Sequence, residues 1–386
     1  MITLRRFFFS LDWILLASAG VLVFFGLVTM KTFGIPGEIG SDYFFLRQLI
    51  WLAVGVIAFF ITAQIDWRFF KTNSVFLLIG YVIGLGLLLF LLFSNAAVRG
   101  STRWIQFGFF SVDPAEPMKL LLVVLLAKYF SRRYVAIARI GVLMVSGFYV
   151  ALPAALIFLQ PDFGTAAVLG LLWIGMALVG GIRIRHLLAL LLLGAISALL
   201  AWSILLLPYQ KARIISFIDP YQDARGAGYH ALQSMIAVGS GEIWGRGIGL
   251  GTQSRLAFLP EHETDFIFAA FAEEWGFAGV ALLIFFYGVV LWRIVRAGIY
   301  AESNFEKLST AGIALILFFQ STIHIGMNIG MFPITGLGLP LVSYGGSSLA
   351  TTFIALGMVE SFSIHRHRRG VFLGPEERYQ EGIVGA

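Results

Sequence analysis

Of 386 residues, 59% are hydrophobic and only 12% charged, with a mean hydropathy of +0.88. A soluble domain carries about a quarter charged residues, so an ordinary water-soluble globule is excluded and a polytopic membrane protein is predicted. The absence of cysteine excludes disulfides and thiolate metal sites, and the six histidines show no ligand spacing. The net charge of +6 is dispersed between apolar segments rather than gathered in a stripe, which argues against nucleic-acid binding and reads as a topology signal.

A helix needs about 20 apolar residues to cross the hydrocarbon layer. In chain order the expected spans lie near 12–31, 44–65, 74–93, 114–131, 140–160, 164–182, 186–207, 266–292, 308–331 and 340–362. The first is long enough to span and lacks a small-residue cleavage pattern, so it is expected to be retained. Leu308 to Val359 contains no formally charged residue, and as one helix it would run about 78 Å at about 1.5 Å per residue. It must therefore fold back, and PITGLGLP (Pro333 to Pro340) is the turn, since two prolines and two glycines forbid a continuous helix. The fold class is thus all-α and polytopic, one membrane domain over 1–386, with ten transmembrane helices, a long loop over 207–265 and a tail over 363–386. Most Lys and Arg fall at the N-terminus, after the even-numbered spans and in the tail, which puts both termini in the cytoplasm and the long loop outside.

With that orientation, the polar and irregular segments Arg99–Lys119, Gln160–Thr165, Pro208–Asp265 and Phe332–Ser348 all emerge externally, where one site can gather them. In FLPEHETDFIF (Phe258 to Phe268), Glu261, Glu263 and Asp265 stand at the threshold of an apolar helix. Asp265 is either a partly desolvated general base or an N-cap with Glu261 complementing the helix dipole. Glu116 and Lys119, three apart, share a helical face and can pair; Lys119 lies deeper than a snorkelling lysine needs to. Arg103 and Trp104 are either an aromatic belt with a snorkelling arginine or a grip on an anionic head group. Asp162, in a tight connection, either caps the sixth span or faces a cavity. GRGIGLG (Gly245 to Gly251) matches no phosphate-cradle pattern and reads as loop or re-entrant backbone. Tyr229 to Gly241 places Leu232, Met235, Ile236 and Gly239 on one face, an amphipathic helix at the interface. Without Walker, S-x-x-K or G-x-S-x-G motifs, a membrane site of carboxylates and cations suits chemistry on a lipid-linked anionic substrate, or its transport.

Together these motifs resemble the SEDS family (shape, elongation, division and sporulation) of bacterial peptidoglycan glycosyltransferases. The resemblance rests on RWIQFG (Arg103 to Gly108), P-x-E-x-x-K (Pro114 to Lys119), QPDFGTA (Gln160 to Ala166), GAGYHALQSMIAVGSG (Gly226 to Gly241), FLPEHETDFIF, EEWGFAG (Glu273 to Gly279) and NIGMFPITGLGLPLVSYGGSS (Asn328 to Ser348). GTQ (Gly251 to Gln253) and PITG (Pro333 to Gly336) look more like the RodA branch, acting in elongation, than the FtsW branch of division. The resemblance implies ten transmembrane helices, an inverting polymerase of lipid II at the outer face of the plasma membrane, and a class B penicillin-binding protein as partner. It implies Asp265 as the catalytic residue and a substrate cavity involving Arg103, Trp104, Glu116, Lys119, Asp162, Arg213, Gln253, Glu261 and Ser343. A divalent cation, Mg²⁺ or Mn²⁺, is expected with the substrate phosphates, Asp265 and Asp162 being the candidate ligands. The chain departs from the family's usual Gln-Pro-Ser-Glu at Asp113 to Glu116, and has Ala257 where many members are acidic. The rival expectations are a lipid II flippase and a division-specific polymerase.

Overall fold

The structure, a computed structural model, describes residues 8–33, 43–94, 104–107, 110–133, 139–205, 208–222, 226, 228–255, 258–259 and 261–372. The apolar stretches become α1 (Trp13–Thr32), α2 (Tyr43–Gln64), α3 (Ser74–Phe93), α4 (Ala115–Ser131), α5 (Ile140–Leu159), α6 (Phe163–Val179) and α7 (Ile184–Leu200). The long loop holds α8 (Pro208–Ile218) and α9 (Tyr229–Ser240); α10 (Ile267–Ile299), α11 (Asn304–Asn328) and α12 (Gly346–Phe372) complete the bundle. RWIQFG, read from sequence only as an interface motif, opens a short antiparallel hairpin of β1 (Ile105–Phe107) and β2 (Phe110–Val112), with Gln106 opposite Ser111.

Local chemistry sets the helix starts. Asp12 and Asp162 accept the N–H groups of Leu15 and Thr165, and Ser303 accepts that of Glu306, capping α1, α6 and α11. Among the described residues eight helices are long and apolar enough to cross a membrane: α1, α2, α3, α5, α7 with its π-helical extension, α10, α11 and α12. The other two expected spans, α4 and α6, have 17 residues each. Both pack at the centre, against each other and against α11. By contrast, α7 stands on the outside, with none of the residues described along Ile184–Ile204 buried.

Small residues let the helices approach closely, as membrane packing without a hydrophobic driving force requires. A Cβ at Gly346 would overlap the Trp51 indole, and one at Gly357 would overlap Thr62, so α12 lies directly on α2. Gly26 of α1 meets the Val342 carbonyl in the same way. At the opposite end, Arg293 of α10 pairs with Asp12, whose N–H donates to the Glu360 carboxylate of α12 at 3.2 Å. This ties three helices together.

The expected eighth span, 266–292, needs correction. Its helix runs Ile267–Ile299 but breaks at Gly276, where φ is 65° and ψ −169°. Ile267–Trp275 is therefore a half-helix, and the spanning part, Phe277–Ile299, is by itself long enough to cross a bilayer. The break exposes backbone groups on both sides, and loop residues 241–250 satisfy them. Arg246 and Gly247 N–H donate to the Glu273 and Glu274 carbonyls at 2.9 and 3.1 Å, while Phe277 and Ala278 N–H donate to the Glu242 and Ile243 carbonyls at 2.9 and 3.0 Å. GRGIGLG is thus structural backbone, and its glycines are demanded by contact: a Cβ at Gly245 would overlap the Glu274 carbonyl oxygen.

Candidate active site

The irregular segment Pro333–Ser343 between α11 and α12 is the hub of the polar network. Its buried backbone groups need partners, and two α11 side chains one turn apart supply them. His324 Nδ1 donates to the Leu337 carbonyl at 2.6 Å and Gln320 Nε2 to the Gly338 carbonyl at 3.0 Å. The next peptide N–H, of Leu339, donates to Ser343 Oγ at 2.7 Å, and that hydroxyl donates to the Thr264 carbonyl at 2.8 Å. At the far end, the Tyr287 hydroxyl of α10 donates to the Pro340 carbonyl.

Three of the clusters predicted from sequence meet this hub: Glu116–Lys119, Asp162 and the turn before Asp265. On α4, Lys119 is 2% exposed, and its ammonium donates to Glu116 Oε1 at 2.9 Å and to Gln320 Oε1 at 2.8 Å. The Glu116–Lys119 pair is therefore formed, and Gln320, absent from the sequence-derived set, joins it to Gly338. The i, i+4 spacing of Gln320 and His324, which puts both on one face of α11, was the available signal. At the start of α6, Gly164 has no room for a Cβ against Leu337, which places Asp162 beside the same segment. Asp162 is buried, and Thr165 bonds both its carboxylate oxygens, through N–H at 3.0 Å and Oγ1 at 2.9 Å. The capping alternative is the one realised.

Asp265 is not the N-cap of α10. Phe266 holds that position without a side-chain cap bond, so the capping alternative for Asp265 is set aside. A turn hung from Glu261 presents Asp265: the Glu261 carbonyl accepts the N–H groups of Thr264, Asp265 and Phe266 at 3.1, 3.0 and 3.3 Å. Glu261 itself has φ 48°, a left-handed conformation that costs a non-glycine residue of order 1–3 kcal/mol. The Asp265 carbonyl is held by Asn328 Nδ2 at 3.0 Å, and Asn328 in turn accepts from Ser234 of α9 at 3.2 Å. With its backbone fixed from three sides, the Asp265 carboxylate stands half-buried. Beside it, Tyr344 N–H donates to the Glu263 carbonyl at 2.9 Å.

The remaining predicted residues divide. Gln253 is a tether, its N–H donating to Glu273 Oε1 at 3.0 Å alongside Thr252 Oγ1 at 3.1 Å. The Ser343 hydroxyl is engaged internally as acceptor and as donor, which ties Leu339 to Thr264. Trp104 is half-buried at the head of the hairpin; Arg103 and the Arg213 side chain lie outside the described residues. The face that docks α9 is Ser234 and Ala237, whereas Ile236 and Gly239 of the expected apolar face are exposed. Among the described residues no three acids or histidines gather as metal ligands. Of the two carboxylates expected to hold a cation, Asp162 bonds Thr165 through both oxygens and Asp265 is half-buried.

Fold and site together define a polytopic helical membrane protein whose acid and ion pair are held by one irregular segment. Residues 6–369 match the family model of the FtsW, RodA and SpoVE cell cycle proteins, and the chain belongs to that family. It is 38% identical over 364 residues to a probable peptidoglycan glycosyltransferase FtsW of a Thioalkalivibrio strain, covering 91% of this chain and 88% of that protein. It is 33% identical over 352 residues to the peptidoglycan glycosyltransferase MrdB of Escherichia coli, covering 90% and 93%. A chain in a solved peptidoglycan synthase complex, described as coordinating polymerization and crosslinking, superposes with a TM-score of 0.76 at 30% identity, covering 92% of this chain and 98% of that one. The Thermus thermophilus rod shape determining protein RodA gives 0.67 at 28% identity, covering 92% and 97%.

Proposed function

We propose that this chain is a peptidoglycan glycosyltransferase that polymerises lipid II at the outer face of the bacterial plasma membrane. The observation that carries the reading is the convergence of Asp265 and the buried Glu116–Lys119 pair on Pro333–Ser343. In this reaction the 4-hydroxyl of an acceptor GlcNAc attacks the anomeric carbon of a lipid-linked MurNAc. The new C–O bond forms as the bond to undecaprenyl pyrophosphate breaks, with inversion. Asp265 takes the hydroxyl proton, a role worth about 10²–10⁴ in rate. Lys119, buried and held by Glu116 and Gln320, supports the hub, and Arg103 and Arg213 supply positive charge toward the anionic leaving group.

A divalent cation, Mg²⁺ or Mn²⁺, fits a site of one carboxylate plus substrate phosphates and would neutralise the leaving pyrophosphate. Asp265 would be its protein ligand. The topology is ten spans, α4 and α6 included, with both termini cytoplasmic. The partner is a class B penicillin-binding protein, and the branch is that of elongation, supported by Gly251–Gln253 and Pro333–Gly336.

The experiment incubates purified protein, alone and with a class B penicillin-binding protein, with lipid II and Mg²⁺ or Mn²⁺. Wild type makes glycan polymer and folded Asp265→Asn makes none; polymer from the variant at the wild-type rate would remove Asp265 from the base role. Lipid II crossing between leaflets without polymer would instead identify a flippase.

A further inference from the structure

The loop Gly241–Leu250 separates its backbone from its side chains in a way that a loop in water has no need to. The backbone turns inward and is bonded by protein. Gly245 N–H donates to the Gly241 carbonyl at 2.8 Å, Arg246 and Gly247 N–H to the broken end of the half-helix, and Leu250 N–H to the Gly247 carbonyl at 3.0 Å. Gly249 N–H donates to Glu274 Oε1 at 3.1 Å. The apolar side chains turn outward: Trp244 is 82% exposed, Leu250 61%, Ile243 60% and Ile248 53%. Backbone near membrane depth is tolerated where protein satisfies it, and here the N–H groups of Glu242, Gly245, Arg246, Gly247, Gly249 and Leu250 all have protein partners.

Its depth is fixed independently. The loop caps the first residues of the spanning part of α10, and Gly249 lies against Thr32, the last residue of α1. These same two helices pair at their other ends through Arg293 and Asp12. The loop therefore lies at the mouth of two membrane-crossing helices, where tryptophan is enriched in membrane proteins. Phe277, the first residue after the break, extends the apolar surface, being 68% exposed. The loop's two charged side chains fit the same place: Arg246 reaches back to the Ser240 carbonyl at 3.2 Å, and Glu242 is exposed.

We propose that Gly241–Leu250 is a lipid anchor, dipping Ile243, Trp244, Ile248 and Leu250 into the boundary between head groups and acyl chains. It would thereby hold the half-helix that follows Asp265 against the bilayer. The sequence contains no cysteine, so Trp244→Cys gives a unique attachment point for a nitroxide label in the full-length protein in phospholipid nanodiscs. Collision rates are measured with oxygen, which partitions into lipid, and with a nickel chelate, which stays in water. Phe285→Cys on the spanning part of α10 serves as the lipid reference and Tyr221→Cys as the water reference, both parent residues being exposed. Position 244 is expected to match 285, with an oxygen-to-nickel ratio several-fold above that of 221. A ratio like that of 221 would overturn the proposal, as would shielding from both reagents. Ile248→Cys repeats the measurement should Trp244→Cys fail to fold.

Discussion

At the scale of single residues, the Glu116–Lys119 pair is asymmetric. Lys119 is 2% exposed and the Glu116 side chain 14%, so the ammonium has no route to water whereas the carboxylate retains some. Breaking a buried pair by removing one partner costs about 3–5 kcal/mol. Glu116→Leu, which strands the ammonium on Gln320 alone, is expected to reach that range. Lys119→Met should cost less, and the double variant should recover part of the loss. Thermal unfolding of the four proteins in one detergent decides it; equal losses from both single variants would contradict the asymmetry. Ser343→Ala acts differently, because it leaves Leu339 N–H and the Thr264 carbonyl unpaired, a loss of about 1–3 kcal/mol. Since it shifts the peptide next to Asp265, kcat in lipid II polymerisation should fall about tenfold or more with KM little changed, as small misplacements of reacting groups do. A rise in KM alone would return Ser343 to the role of a direct substrate contact.

At the scale of elements, the break in α10 is the feature with most consequence. Gly276 combines φ 65° with a backbone so close to Gly245 that a Cβ would overlap its nitrogen. Gly276→Ala is therefore expected to destabilise by more than the 1–3 kcal/mol of left-handed strain alone, since loop 241–250 must also retreat. Exchange of the Arg246 and Gly247 amides, followed by hydrogen–deuterium exchange, should accelerate in the variant; unchanged protection would show that the loop is held elsewhere. EEWGFAG betrayed nothing of this break in sequence, because a lone glycine in an apolar run reads as a tolerated helix residue. The apolar helices were legible because composition dictates them, and the turn at Pro333–Pro340 because proline and glycine leave no alternative. Asp265, Glu116, Lys119 and Asp162 were legible because charge beside apolar sequence is conspicuous. Gln320, His324 and Asn328 were not, since a neutral polar residue in a span shows its use only when the backbone it serves is known. What α9 docks against was not legible for a related reason: it is held through Ser234, whose bonds go to Asn328, and through Ala237 and Val238 against Phe266 and Ala269.

For the whole molecule, the described residues of the candidate site gather at one end of the bundle. Asp265, the hub and the start of α4 are linked by hydrogen bonds, and Thr32 and Phe277 mark the span ends on that side. The Asp12–Arg293–Glu360 cluster and the Arg68–Glu306 pair, at 2.7 Å, lie at the other. A polymerase acting on an external lipid-linked sugar needs the Asp265 end outside, whereas a flippase needs polar access at both ends and groups near the midplane. The distribution of Lys and Arg gives the same orientation, and the cysteine-free sequence makes it directly measurable. Tyr221→Cys in the long loop and Arg183→Cys between α6 and α7 are both exposed positions. A membrane-impermeant maleimide added to intact protoplasts should label the cysteine at 221 and leave that at 183 unlabelled until the membrane is permeabilised. The reverse pattern would put Asp265 in the cytoplasm, where a chain-extending site could not reach the growing wall.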